Sequence, residues 1–183
     1  MRQAVGLLAV FVGSFFLFFI TTQEDILQKN VTCSVTTYES TIDGVSLEPL
    51  LKDGSTVRAL KDYYSCHAIQ KEDMVIFRIG DDALIKIVKG LPGERFLLQK
   101  DEVGLWNIII NGEKVKNSEG VPYALNGDHY PILHRSETVY NNIIPEGAYL
   151  LLGDRPEGTE DSSIFGFVGK SNIIGKVEIA HAD

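Results

Sequence analysis

Hydrophobic residues follow two different patterns along the chain. Residues 4–20 are apolar throughout apart from two glycines and Ser14. At about 1.5 Å per residue such a helix spans about 26 Å, and the threonines at 21 and 22 can extend it toward the ~30 Å thickness of a hydrocarbon core. Beyond a polar stretch at 23–30, apolar residues occur in short runs or alternate with polar ones, which is typical of β-strands. The pattern predicts a transmembrane helix at 4–22, a tether at 23–30 and a strand-rich domain at 31–183.

The N-terminal apolar segment has two interpretations, a cleaved secretory signal and a permanent anchor. A cleaved signal has an apolar core of about 7–15 residues and ends in small residues. Here the apolar segment is longer, and Phe19 and Ile20 close it, which favours an anchor. Arg2 lies before the segment and only Lys29 lies close behind it. This bias predicts a short cytoplasmic end at 1–3 and a domain on the other side of the membrane.

Short runs rich in β-branched and aromatic residues predict the strands of the domain. We expect strands at 31–38, 73–79, 83–88, 106–110, 113–115, 148–152 and 173–180. Asn111 and Gly112 predict a tight type I′ hairpin. Residues 117–142 lack periodicity and predict an irregular insertion or a long loop. Because no crossover helices separate the strands, the fold class expected is mainly β, with a coiled, barrel-like antiparallel sheet.

Charge and composition exclude some partners. The formal net charge is −8, and no basic stripe occurs, so nucleic acid is not an expected partner. Cys33 and Cys66 are too few for a disulfide scaffold, and the sequence leaves open whether they pair. No metal or cofactor is expected, because the four histidines lack ligand spacing. They are His67, His129, His134 and His181.

A turn near the start of the domain carries a candidate nucleophile, Ser46. Residues 42–50 read IDGVSLEPL. Gly44 allows a sharp turn, and Pro49 restricts the backbone behind the serine. A serine hydroxyl needs a neighbouring base and a rigid position to react at neutral pH. An ordinary surface turn has the same composition, so the heptad by itself does not decide between the two.

A lysine within an apolar run is the candidate base. Residues 83–88 read ALIKIV and place Lys86 on one face of a strand with Leu84 and Val88. If that face is inward, burial lowers the pKa of the amine so that it can accept a proton from Ser46. The alternative is a lysine on the exposed face of an edge strand.

Both stretches resemble the bacterial type I signal peptidases, which are Ser–Lys peptidases. Their serine motif has Met and Thr where this chain has Leu47 and Leu50. Their lysine motif matches residues 85–94, IKIVKGLPGE, with Ile87 at an arginine position and Glu94 at an aspartate position. The resemblance assigns the base to Lys86 rather than to Lys89.

A third stretch is similar to the closing motif of the same family. Residues 153–168 read GDRPEGTEDSSIFGFV. The family has Asn-Arg where this chain has Arg155 and Pro156, and a serine where it has Thr159. Ser163 stands in place of the arginine that normally pairs with the aspartate, here Asp161. Asp161 then needs another partner, and Arg155 is a candidate. The resemblance thins over residues 99–142.

The resemblance implies a membrane-anchored serine endopeptidase that removes signal peptides from exported preproteins with small residues before the cut. It implies Ser46 as nucleophile and Lys86 as base and then acid. It also implies an oxyanion site at the Ser46 N–H shaped by Gly44. Supporting roles fall to three further residues, Thr159, which orients Lys86, and Asp161 and Asp154. Three alternatives stay open: a specialised peptidase that matures pilin or conjugation subunits, an inactive membrane-anchored binding module, and a self-cleaving regulator.

Overall fold

The computed structural model describes residues 33–180. Eleven strands, two α-helices and two short 3₁₀ helices lie within this range. The strands are β1 (Thr36–Thr41), β2 (Thr56–Lys61), β3 (Met74–Ile79), β4 (Asp82–Gly90), β5 (Phe96–Lys100), β6 (Trp106–Ile110), β7 (Glu113–Lys114), β8 (Ala124–Leu125), β9 (Ala148–Leu152), β10 (Val168–Gly169) and β11 (Ile173–Ile179). The helices are α1 (Pro131–Val139), α2 (Ser162–Phe165) and the 3₁₀ turns Tyr63–Ser65 and Lys170–Asn172.

Seven strands form the larger sheet in the order β1-β2-β11-β3-β4-β9-β10. Every pairing in it is antiparallel. β4 has β3 on one side and β9 on the other, and the two neighbours pair with different parts of it. It pairs with β3 from Asp82 to Ile87, whereas β9 joins only from Ile87 onward. The first half of β4 therefore has strand pairing on one side alone, and Lys86 lies where this half ends.

The smaller sheet is built from β5, β6, β7 and β8, with β6 at its centre. The tight hairpin between β6 and β7 turns at Asn111 and Gly112, with φ angles of +52° and +89°. Only residues that tolerate positive φ at both positions fit such a turn. The hairpin prediction and the mainly β, antiparallel fold class are confirmed.

Three predicted features differ from the structure. The first strand covers Thr36–Thr41 rather than 31–38. Four strands were not predicted, β2, β5, β8 and β10, and the last two span only two residues each. The segment expected to be irregular, 117–142, contains α1, which begins with Pro131 at its first turn. Proline suits that position, because its missing N–H and fixed φ cost nothing there, but nine residues are too few to show a clear helical period.

Within residues 33–180, no helix is sufficiently long and apolar to cross a bilayer. The predicted anchor at 4–22 lies outside the described residues, as do the tether at 23–30 and the end at 1–3. Both cysteines, Cys33 and Cys66, are disulfide-bonded, so the question that the sequence left open is answered.

Candidate active site

The connection between β1 and β2 carries Ser46. Leu47, only 1% exposed, packs into a small core with Ile42 and Ile87, the latter on β4. Ile42 is tied to the far end of the connection by hydrogen bonds with Ser55 (2.9 Å) and Gly54 (2.9 Å). The apolar residues on both sides of the serine therefore fix the turn against β4 and leave Ser46 partly exposed above it.

Gly44 gives this turn its shape. Its φ angle is +92°, in the region where a Cβ atom introduces strain. Its N–H donates to Asp53 Oδ1 at 2.9 Å, which closes the turn. Among the described residues, 33–180, no acceptor meets the N–H of Ser46. The predicted oxyanion role of this N–H stays a prediction.

Lys86 reaches Ser46 from β4. Its Nζ donates to Ser46 Oγ at 2.9 Å and to the Ile85 carbonyl oxygen at 3.1 Å. Lys86 is 3% exposed, so the alternative of a solvated lysine on an edge strand is wrong. The structure brings together the two residues that sequence motifs placed forty positions apart.

The surroundings of Lys86 favour its neutral form. Burial lowers the pKa of its amine below the ordinary lysine value, and the negative charges of Asp161 and Glu160 oppose this shift. The burial effect is the larger, because removing an ammonium from water is costly unless a close partner compensates. An uncharged amine beside a hydroxyl is the arrangement that proton transfer needs.

Lys89, three residues further along β4, has a different environment. Its Nζ donates to Glu72 Oε2 at 2.7 Å and to the Lys116 carbonyl oxygen at 2.8 Å. It is as buried as Lys86, at 3% exposed, but it has an acidic partner. The two buried lysines of one strand thus separate into a structural ion pair and an amine that faces the serine.

Asp154 connects the serine turn to the chain beyond β9. Its N–H donates to the Ser46 carbonyl oxygen at 2.8 Å. Its carboxylate, fully buried, accepts hydrogen bonds from the N–H groups of Leu50 (3.2 Å) and Ser118 (2.8 Å) and from the Ser118 hydroxyl. Asn117 donates to the Asp154 carbonyl oxygen at 3.1 Å. Asp154 therefore holds Ser46 and the insertion in one network, as its supporting role predicts.

Asp161 is fully buried, and hydrogen bonds alone satisfy it. Its carboxylate accepts from the Gly153 N–H (2.9 Å), the Ser163 N–H (2.8 Å) and the Thr159 hydroxyl (2.6 Å). The candidate partner, Arg155, does not pair with Asp161. Arg155 forms an exposed ion pair with Glu157 at 2.7 Å. Three donors stabilise a buried carboxylate well enough that it needs no cation.

Thr159 lies next to the serine turn. A Cβ atom on Gly153 would lie 2.4 Å from Thr159 Oγ1 and 2.5 Å from the Ser46 carbonyl oxygen. The space beside Gly153 is therefore too small for a side chain, and both Thr159 and Ser46 border it. Because Thr159 donates its one hydroxyl hydrogen to Asp161, only its lone pairs can serve the amine of Lys86. Its predicted role in orienting Lys86 stays a prediction.

Sequence reasoning missed several residues that hold this site. Tyr123 donates its hydroxyl to the Gly153 carbonyl oxygen at 2.5 Å, and burial raises its pKa, so that it stays a donor. Asn117 and Ser118 hold Asp154, and His129 lies against the loop that carries Thr159. All four belong to the segment where the resemblance thins. The turn composition of residues 117–120, NSEG, was a signal for Asn117 and Ser118 only.

Comparisons with known proteins identify the family of this chain. The family described as signal peptidase, peptidase S26, matches residues 8–182. Signal peptidase IB of Staphylococcus aureus is 33% identical over 146 residues, which cover 75% of this chain and 73% of that protein. Signal peptidase I of Bacillus caldolyticus is 29% identical over 144 residues, 76% of each chain.

A signal peptidase I from Enterococcus faecalis, known from a crystal structure, is 26% identical, with a TM-score of 0.41. The match covers 60% of this chain and 97% of that one. The family match extends over nearly the whole sequence, and a relative above 30% identity covers three quarters of it. The chain therefore belongs to the signal peptidase family, peptidase S26, and is a serine peptidase.

Proposed function

We propose that this peptidase removes signal peptides from exported preproteins by a Ser–Lys mechanism. The observation that carries the proposal is the 2.9 Å contact between Ser46 Oγ and the amine of Lys86. The relatives that the chain matches are named signal peptidases, which indicates the substrate class. Preproteins with small residues before the cut are the substrates that we expect.

Acylation begins when the neutral amine of Lys86 takes the hydroxyl proton of Ser46 as Oγ attacks the scissile carbonyl carbon. The C=O bond becomes a C–O⁻ single bond, and the Ser46 N–H donates to this oxyanion. The lysine ammonium then gives its proton to the leaving amine as the C–N bond breaks. The products of this half-reaction are the released mature chain and an ester between Ser46 and the signal peptide.

In deacylation, Lys86 again acts first as base and then as acid, and water is the nucleophile. Lys86 accepts a proton from water, the hydroxide oxygen attacks the ester carbon, and the same N–H stabilises the second oxyanion. The C–Oγ bond breaks, and Ser46 Oγ recovers a proton from the ammonium. Burial of Lys86 supports both steps, because a solvated lysine stays protonated at neutral pH.

Incubation of the detergent-solubilised full chain with a panel of preproteins tests the function. We expect cleavage after small residues, seen as a shorter product with a defined new N-terminus. Ser46→Ala should lower the rate of this cleavage by at least about 10³-fold, because the nucleophile is lost. Cleavage that persists in Ser46→Ala, or a panel that the native chain leaves intact, would contradict the proposal.

We also propose that residues 4–22 anchor the peptidase, with the catalytic domain outside the cytoplasm. The length and polarity of this segment support an anchor. An anchored enzyme meets its substrates at the bilayer, where preproteins emerge. The full chain should stay with the membranes after alkaline extraction, whereas a chain that starts at residue 31 should be released. Release of the full chain would exclude a spanning anchor.

A further inference from the structure

His129 contacts the loop that carries Thr159 and Asp161. Its Nδ1 lies 3.1 Å from the hydroxyl oxygen of Ser163. Its ring also covers Gly158, where a Cβ atom would lie 2.8 Å from both Cγ and Nδ1. The side chain is partly buried. The contact joins the insertion to the closing loop across thirty-four positions of sequence.

Ser163 also makes hydrogen bonds to Thr159 and Asp161. Its hydroxyl donates to the Thr159 carbonyl oxygen at 3.3 Å, and its N–H donates to Asp161 Oδ1 at 2.8 Å. When the Ser163 hydroxyl donates to Thr159, its oxygen is the acceptor for His129, and the hydrogen of this contact belongs to the Nδ1–H tautomer. The hydrogen bonds thus run from His129 through Ser163 to Thr159 and to Asp161, whose charge acts on the amine of Lys86.

We propose that His129 is a positioning residue for the peptidase reaction. It holds the 158–163 loop through Ser163, the residue at which the family's cation is absent, so that Asp161 and Thr159 stay fixed beside Lys86. This inference rests on the proposed function for its kinetic consequence. The contact from His129 comes from a different part of the chain and stands where the family has an ion pair.

The position of the loop matters because Lys86 depends on what surrounds it. Asp161 and Glu160 act on its amine electrostatically, and Thr159 Oγ1 lies beside Gly153, across from the Ser46 carbonyl oxygen. A loop that moves away admits water to the amine and displaces both Thr159 and Asp161. The substrate's own binding surface along the serine turn is not changed, so the expected loss is in kcat rather than in KM.

Steady-state cleavage of a preprotein peptide by five variants tests the proposal. His129→Ala should lower kcat about 10-fold with KM within about 2-fold, since misplacement of catalytic groups acts on the transition state. His129→Asn should keep most of kcat, because an amide nitrogen can take the place of Nδ1. Ser163→Ala should resemble His129→Ala, and the double variant should be no slower than either, which shows coupling. His134→Ala, which removes an exposed histidine 54% accessible, is the matched control and should match the native rate.

Hydrogen–deuterium exchange of residues 153–165 gives a readout that does not depend on activity. His129→Ala should accelerate exchange in this segment at least about 10-fold, whereas His129→Asn should not, if the contact restrains local opening. Native kcat in His129→Ala, equal loss in the Asn and Ala variants, or unchanged exchange would each overturn the positioning role. Inactivity of the native chain on every preprotein would instead overturn the proposed function, and the exchange result would still decide the role of His129.

Discussion

Replacing Lys86 by methionine should lower kcat for preprotein cleavage by at least about 10³-fold while the protein stays folded. The substitution keeps the length and apolar stem of the side chain and removes only the amine that contacts Ser46 at 2.9 Å. Without a base, the serine hydroxyl is a poor nucleophile, and the remaining rate comes from the oxyanion site and substrate binding. Peptide cleavage followed by mass spectrometry measures the loss.

Lys89→Met is the matched control for this experiment. Both lysines are on β4 and 3% exposed, but the amine of Lys89 pairs with Glu72. If only Lys86→Met loses activity, the base is the lysine that contacts Ser46, and burial of a lysine on β4 is not enough. Combining Ser46→Ala with Lys86→Met should cost no more than either change alone, because the two residues act as a unit. Equal losses in the two lysine variants would contradict the assignment.

The pH dependence of the native enzyme provides a second measurement on Lys86. The proposed mechanism requires the neutral amine, so the rate should rise with pH as Lys86 loses its proton. Burial lowers the pKa of Lys86, which places this limb below the ordinary lysine value of about 10.4 and lets activity rise above neutrality. A limb at about pH 4–5 would instead identify a carboxylate as the base.

The same shift determines how Lys86 affects stability. Between its lowered pKa in the folded state and about 10.4, the unfolded chain binds the proton more readily than the folded chain. Stability should therefore increase with pH across this window, and Lys86→Met should remove that part of the increase. The variant is expected to be at least as stable as the native chain near neutrality, since a buried amine is replaced by an apolar group.

The parts of the site that the sequence predicts are those encoded locally. Gly44 gives the serine turn its shape by its own backbone conformation, and alternation along β4 places Lys86 on one face with Leu84 and Val88. Asn111 and Gly112 determine their hairpin by backbone conformation alone. In each case the residues that decide the structure are close in sequence, so a short motif contains the necessary information.

The parts that the sequence does not predict depend on long-range contacts. Arg155 was a candidate partner of Asp161, because a buried carboxylate needs compensation. The structure provides that compensation from two nearby donors, Thr159 and Ser163, and from the Gly153 N–H, which becomes available only when β9 ends beside the closing loop. Ser118 likewise reaches Asp154 across thirty-six positions. Charge accounting identifies the need for a partner, but only the fold shows which donor meets it.

Gly153→Ala should reduce cleavage by at least about 10²-fold and also destabilise the protein by about 1–3 kcal/mol. The added Cβ atom would lie 2.4 Å from Thr159 Oγ1 and 2.5 Å from the Ser46 carbonyl oxygen. Neither neighbour can yield freely, because the Asp154 N–H holds the Ser46 carbonyl and Asp161 holds the Thr159 hydroxyl. Kinetics on the preprotein peptide and thermal unfolding measure the two effects.

Substitutions at two other glycines are controls that distinguish general destabilisation from an effect on catalysis. Gly175→Ala would place a Cβ atom 2.3 Å from the Leu60 carbonyl oxygen, where β11 pairs with β2. It should destabilise the fold to a similar extent yet keep its kcat at temperatures where it is folded. Gly127→Ala meets no atom within 4 Å and should change neither quantity. If Gly175→Ala lost activity as Gly153→Ala does, general destabilisation would explain both. A loss in Gly153→Ala alone would show that cleavage depends on how closely the closing loop approaches the serine turn.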